Sequence, residues 1–518
     1  MKNWRLGTLL AIVLVMVISL GVQGQTLITS VAEDPNSLDP HKTSMISASQ
    51  IMVHLYDRLV YIDENGAPQG WLAESWEVED EGKRVVFKLR EGLEFHDGTP
   101  ITADAVEFTF NRLIDPETAA PAAGWIGPLD RVEAISELEA AFYFTEPYAP
   151  LFTQLTTAYM GILPPHVVEE KGDGFGRSPV GSGPLKFDRW VSGSHVELVR
   201  NDNYQGFRQD VENQGPLHFE RMRVEIIPEA GTRMAALEAN ELHVGGAPRE
   251  EMPYIETVDY IDVIIWEEAT NFSFVEFNRD KPPFDDVRAR QAVGFAVNNE
   301  EVVLGAIAGY ATPNWNPMPV GVSGHDPELG RQYGYDYDPE RAIELLAEAG
   351  YADTTGDGFI DKDGERLELS MWTYGVDTAI DAAQIIAEQL RSIGLRVNLE
   401  VYETGIMISG LSEGRHNLNY MRWTWADPVI LSMLFKTPGW TEMYSNPEID
   451  PILEEADVSL EFDERMELIR EAQIKLLQDA AIIPLYTDWI MTAYRAELEG
   501  LKMDFLGGLL YNDVRFRD

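Results

Sequence analysis

Apolar positions along the chain follow two periods. Leu367, Leu369 and Met371 fall on alternate residues, which predicts a strand with one buried face. From 379 to 393 the spacing becomes helical. Ala382, Ile386, Leu390 and Ile393 share a face, and Gly394 stands where a C-cap turns left-handed. Leu395, Val397, Leu399 and Val401 then alternate again. Strand, helix and strand within about 35 residues predict a βαβ unit and hence a parallel strand pair. Other helix starts are readable. Asp338 precedes Pro339 as an N-cap before a first-turn proline, and Gly350 closes that helix. Asp285 is placed to cap a helix through Val287, Ala292 and Phe295. Asp463 is placed to cap a long helix through Met466, Ile469, Ile474 and Leu477. It should stop before Pro484, where an apolar strand is expected. Strands and helices in mixed order indicate an α/β protein, and 518 residues suffice for two to four lobes.

The N-terminus reads as an export signal. Lys2 and Arg5 precede an unbroken apolar run over residues 9–20, and Val22 and Gly24 form a small-residue cleavage site before Gln25. The run is shorter than the roughly 20 residues of a stable span, although an uncleaved anchor is the alternative. The chain has no cysteine, so lipid anchoring through a thioether, disulfides, thiolate metal sites and cysteine nucleophiles are excluded. The formal charge is −47, and loss of Lys2 and Arg5 makes the mature chain more acidic still. Such a chain repels nucleic-acid phosphates and anionic lipid. The acids are scattered, so they read as a solvated surface.

Several motifs invite chemistry and also have plain structural readings. In residues 353–365, Asp353, Thr355, Asp357 and Asp361 occupy positions 1, 3, 5 and 9 of a calcium loop, with Gly358 at 6. Position 12 is Gly364 and Glu365 comes one residue late, so the segment is either a calcium site or a turn. His96 and Asp97 resemble a catalytic pair but suit a turn before a helix, and Gly181, Ser182 and Gly183 lack the spacing of a nucleophile elbow. No His-Glu-x-x-His motif occurs, and the nine histidines show no metal-ligand spacing. A secreted hydrolase is thereby disfavoured, and no cofactor or metal is expected.

Six segments in order carry a family resemblance: residues 37–63 (SLDPHKTSMISASQIMVHLYDRLVYID), 87–113 (FKLREGLEFHDGTPITADAVEFTFNRL), 178–206, 225–244, 277–303 and 444–456 (YSNPEIDPILEEA). With these the chain resembles the bacterial extracellular solute-binding proteins of family 5, which serve peptide, nickel and some oligosaccharide ABC importers. The resemblance implies a periplasmic-binding-protein-like two-lobe clam (type II) with an extra inserted domain. Lobe I would comprise 25–60, 180–268 and 485–518, the inserted domain 61–179, and lobe II 269–484. The ligand would lie between the lobes, and closure would present both to the permease subunits in the inner membrane. The implied protein is a periplasmic monomer that captures a peptide-like solute. An oligosaccharide or other neutral solute is the alternative, and a chemosensory partner is equally compatible.

In peptide-binding members a carboxylate in an Ala-Asp-Tyr context meets the peptide ammonium. The matching stretch here, NYMRWTWADPVILSMLF over residues 419–435, lacks that Asp-Tyr and keeps a later Asp427-Pro428. Asp427, if buried, must be paired or hydrogen-bonded, and it is a candidate for a ligand amine, a sugar hydroxyl or merely a backbone amide. Trp423 and Trp425, two apart and so on one strand face, are either candidate platforms, with Trp425 favoured because it adjoins Asp427, or core residues, one or both. Arg422 should point to the other face; it could meet a ligand carboxylate if the strand is irregular there, and otherwise reads as a surface or structural residue. Ser44 and Met45 match a loop that approaches ligands in the family. Asn271 begins the strand entering lobe II, and Tyr374 follows a strand end where open sheets bind ligands. Trp125, Trp315 and Trp440 are further aromatic candidates on loops.

Overall fold

The computed structural model describes residues 25–441 and 444–517, so the expected export signal and its cleavage site lie outside the described residues. No described helix is long and apolar enough to cross a membrane. Lobe I rests on a four-stranded sheet in the order Thr26–Val31, Arg221–Ile226, His195–Arg200, Leu185–Val191. Only its first pair is parallel. A second sheet sets Ile490–Arg495 between Val244–Gly246 and Ile261–Trp266, so the last part of the chain is stitched into this lobe.

The inserted domain is an antiparallel sheet, Ala73–Glu79, Arg84–Leu89, Glu139–Phe144 and Leu129–Ala134, covered by the helix Ala103–Ile114. Before that helix, Gly98 takes φ +83°, and Asp97 accepts the Thr99 amide at 3.0 Å and its hydroxyl at 2.6 Å. Thr102 holds the N-cap position without a side-chain capping bond. Phe110 and Phe142 of this domain share one continuous core with Leu27, Leu198 and Met222 of lobe I. The Gly181–Gly183 turn clamps the end of the helix Ile46–Leu55. The Ser182 and Gly183 amides donate to the Leu55 carbonyl at 3.0 and 2.9 Å, and a Cβ on either glycine would collide with the Leu55 or His54 carbonyl.

Lobe II is a six-stranded sheet in the order Ala311–Pro313, Ile482–Asp488, Asn271–Phe277, Leu418–Thr424, Glu368–Tyr374, Arg396–Tyr402. The last two strands are the expected βαβ pair. They run parallel from Glu368↔Arg396 to Tyr374↔Tyr402 and are joined by the helix Asp377–Ser392. Gly394 ends that turn at φ +92°. All seven residues of Asn271–Phe277 are buried because both sheet faces are covered. Val275 and Phe277 enter one core, Phe272 and Phe274 another.

Two capping expectations change. The helix Val287–Ala296 is capped by Asp286, whose side chain accepts the Arg288 amide at 2.9 Å, rather than by Asp285. The helix Phe462–Gln478 starts before Asp463, with Glu461 at the N-cap and no side-chain bond. Asp463 lies in its first turn, where its charge still favours the helix dipole. The chain passes between lobes after Trp266 and again around Asp488, and Gly321 lies against the first crossing. Its amide donates to the Ala269 carbonyl at 3.0 Å, and a Cβ there would strike the Glu268 carbonyl. The inserted domain also touches lobe II: the Ala149 amide donates to the Asp457 carbonyl at 3.0 Å, and Ser323 Oγ to the Gly66 carbonyl at 2.9 Å.

Candidate interlobe ligand site

The strands ending at Tyr374, Tyr402, Thr424 and Asp488 run in one direction, and the strand beginning at Asn271 is antiparallel to them. Their carboxyl ends therefore share one edge with Asn271, at the crossings between lobes. This is where an open α/β sheet presents side chains to a ligand. Asn271 locks the edge: its Nδ2 donates to the Asp488 carbonyl at 3.2 Å, and its Oδ1 accepts the Asp488 amide at 3.0 Å.

Asp488 then gathers charge from both lobes. Arg249 of lobe I donates to its Oδ1 at 2.6 Å, and Arg422 Nε of lobe II stands 3.2 Å from Oδ2. The Arg422 approach is not aligned as a hydrogen bond, and Oδ2 is left without one. The carboxylate is 4% exposed, the Arg249 side chain 25% and that of Arg422 37%, so two accessible cations surround one buried anion. Beneath them the Tyr420 hydroxyl meets Ser273 Oγ at 2.9 Å and the Tyr486 hydroxyl at 2.6 Å. Burial, with Asp488 nearby, pushes the Tyr486 phenol up to about 12, so this floor stays neutral. Tyr374 stacks loosely on Tyr420, ring centroids 6.2 Å apart, and burial raises its phenol too.

On the lobe I side a cavity of about 380 Å³ opens beside the second crossing, lined by Ser30, Gln50, Val244, Gly246, Ile490 and Tyr511. Ser44 is exposed and Met45 half-buried at the start of the helix Ile46–Leu55. The Tyr159 hydroxyl donates to the Met45 carbonyl at 3.2 Å and packs edge-on against Trp125 at 5.0 Å.

The structure divides the sequence candidates. Asn271, Tyr374 and Arg422 come together at the edge; Ser44 and Met45 belong to the wall of lobe I. Trp423 and Trp425 share the opposite sheet face from Arg422 and pack on an apolar core. Trp423 meets Trp440 edge-on at 5.2 Å, and neither Trp423 nor Trp425 has an acceptor for its indole N–H. Asp427 differs most from the expectation. It is fully buried, and Arg465 grips both oxygens at 2.6 and 3.1 Å. Thr153 Oγ1 of the inserted domain adds a bond at 2.8 Å, and the Val429 amide another at 2.9 Å. Four donors fill its acceptor sites, so a ligand ammonium finds no free lone pair there. Sequence reasoning missed Arg249 and Asp488. An acid ending the otherwise apolar run IIPLYTD was a usable signal for Asp488; Arg249 on its loop gave none.

The carboxylates of residues 353–365 hold their own loop. Asp353 accepts the Gly356 and Gly358 amides at 2.7 and 2.9 Å, Asp361 accepts the Thr354 amide at 2.7 Å, and Asp357 pairs with Arg366 at 2.6 Å.

A family model described as "Bacterial extracellular solute-binding proteins, family 5 Middle" matches residues 67–442. The chain belongs to this family. Among curated relatives, the glutathione-binding protein GsiB of Pectobacterium atrosepticum is 26% identical over 484 residues, covering 90% of this chain and 89% of the relative. Among solved structures, HbpA2 from Haemophilus parasuis overlays with a TM-score of 0.84 at 24% identity, over 95% of this chain and 100% of that one. The ABC transporter substrate-binding protein CtaP from Listeria monocytogenes overlays at 0.79 with 23% identity, over 96% and 100%. For a family 5 solute-binding protein, the sheet edge between the lobes is the natural place to read ligand chemistry.

Proposed function

We propose that this protein captures a short peptide-like solute bearing a free carboxylate, outside the cytoplasm, and hands it to the permease of an ABC importer. The observation that carries this reading is the pairing of Arg249 and Arg422, one from each lobe, around the single carboxylate of Asp488. One cation is in excess, and Arg422 is open enough to take a second, ligand carboxylate in charge-assisted bonds. Because the arginines come from different lobes, a carboxylate held between them favours the closed arrangement. The neighbouring cavity of about 380 Å³ has the size for a side chain. Fit to a relative named for binding glutathione supports the same class. The mature chain acts as a periplasmic monomer without catalytic turnover.

Calorimetry with reduced glutathione and a panel of tripeptides, each free and C-terminally amidated, tests this. Free acids should bind, and Arg422→Ala should weaken them about ten- to a hundred-fold, since a charged hydrogen bond contributes about 1.5–3 kcal/mol. Amidation should produce a similar loss in wild type and little further loss in the variant. Equal affinity for amide and acid would overturn the reading. Neutral oligosaccharides that bind independently of Arg422 would replace it with the alternative solute class.

A further inference from the structure

A second cavity, of about 270 Å³, lies at the seam between the inserted domain and lobe I and shares no lining residue with the cavity beside the crossings. Its walls carry Asp57, Glu94, Ser182, Asn203 and Tyr204, with Leu93 and Phe95 supplying apolar surface. Asp57 is only 3% exposed. The Tyr204 hydroxyl donates to its Oδ1 at 3.3 Å, and the Ser182 hydroxyl accepts the Asp57 amide at 3.1 Å. Among the described residues no cation comes within ion-pair distance of this carboxylate. Arg58 and Arg208 act on its charge from beyond ion-pair distance and make their direct contacts elsewhere. Arg58 donates to the Val53 and Tyr56 carbonyls and lies over the Trp71 ring at 4.4 Å, and Arg208 pairs with Asp210 at 2.5 Å. Two further basic groups line the cavity. Lys186 Nζ donates to the His96 carbonyl at 3.1 Å. The His96 ring spans the Gly183 carbonyl and the Gly181 amide at 2.9 and 3.2 Å, and burial lowers it to about 4, so it stays neutral.

A buried carboxylate without a direct ion-pair partner is costly in a folded protein, and one lining a polar, roomy cavity is positioned to receive such a partner from outside. We propose that this seam cavity is a second solute site that takes a small organic ammonium ion, with Asp57 as its counter-charge and Glu94 at the mouth. Tyr204, Ser182 and Asn203 supply oxygens for the remaining N–H groups, and Phe95 and Leu93 contact a short carbon chain. Burial also raises the Asp57 carboxyl to about 6, which a bound ammonium would reverse. Because the inserted domain and lobe I share one core, the site is formed whether the lobes are open or closed.

The probe is ethylammonium, with propanol and acetate as neutral and anionic controls, followed by saturation-transfer NMR on the mature protein. Ethylammonium should bind in wild type and in Arg422→Ala alike, with the controls silent. Asp57→Asn should weaken it at least about ten-fold. Should that variant fail to fold, Glu94→Lys at an exposed position should weaken it about five-fold. Near pH 6, calorimetry in buffers of different ionisation enthalpy should show proton release on binding, diminishing by pH 8. Propanol binding as well as ethylammonium, indifference to both Asp57→Asn and Glu94→Lys, or loss of the signal in Arg422→Ala would each overturn the second site. Carboxylate-dependent binding at Arg422 is read separately, from free-acid against amidated peptides, so the two readings fail separately.

Discussion

Asp427 and Glu276 illustrate two ways a buried acid is kept. Asp427 is saturated by Arg465, Thr153 and the Val429 amide. Removing its charge strands a buried guanidinium, so Asp427→Asn should cost about 3–5 kcal/mol in urea denaturation while leaving ligand affinity within about two-fold. A large affinity loss at unchanged stability would return Asp427 to the binding site. Among the described residues Glu276 has no ion-pair partner; Trp440 donates to it at 2.9 Å, and burial raises its carboxyl to about 7. Its folded pKa lies above the unfolded one, so the native state holds the proton more tightly between about pH 4.5 and 7. Stability contributed by the neutral form is present below that window and lost as pH rises through it. Glu276→Gln should therefore be near neutral at pH 5 and stabilising on the order of 2 kcal/mol at pH 8, read from denaturation curves at the two pH values. Neither fate was legible in sequence. The period of two put Trp423 and Trp425 on one face, but only Trp440, distant in sequence, decides that this face is core. Likewise, nothing beside Asp427 announces Arg465.

Elements were more legible because their signals are local. The βαβ unit from Glu368 to Tyr402 could be read from alternation, helical spacing and a C-terminal glycine, all within one window. Capping was legible where side chain and amide are neighbours, and it failed by a residue or two where several acids cluster at a helix start. The contrast is measurable. Asp338 accepts the Arg341 amide at 3.0 Å, so Asp338→Ala should cost about 1 kcal/mol. Asp463 makes no cap bond, so Asp463→Ala should lose only a few tenths of a kcal/mol of dipole interaction. Comparable losses at both positions would contradict the capping geometry. The strand Ile482–Asp488 shows the mixed case: its apolar run was readable, while the role of its terminal acid depends on arginines contributed by two lobes.

At the scale of the whole molecule, the two-lobe fold followed from segments recognisable in order along the chain. The energetic grouping did not follow. The inserted domain shares one apolar core with the main sheet of lobe I, whose second sheet has a small core of its own, whereas lobe II has its own two cores on either side of its sheet. Scanning calorimetry of the mature protein should resolve two transitions, one for lobe II and one for lobe I with the insertion, and a ligand bridging both lobes should merge them. Three separate transitions would contradict the shared core. That shared core also bears on protein engineering. The segment that looks most like a portable module, entering and leaving lobe I as one continuous stretch, has no finished surface on its inner side. Expressed alone it would present raw apolar packing to water and clump. Grafted into another scaffold it would succeed only where the host supplies the missing half.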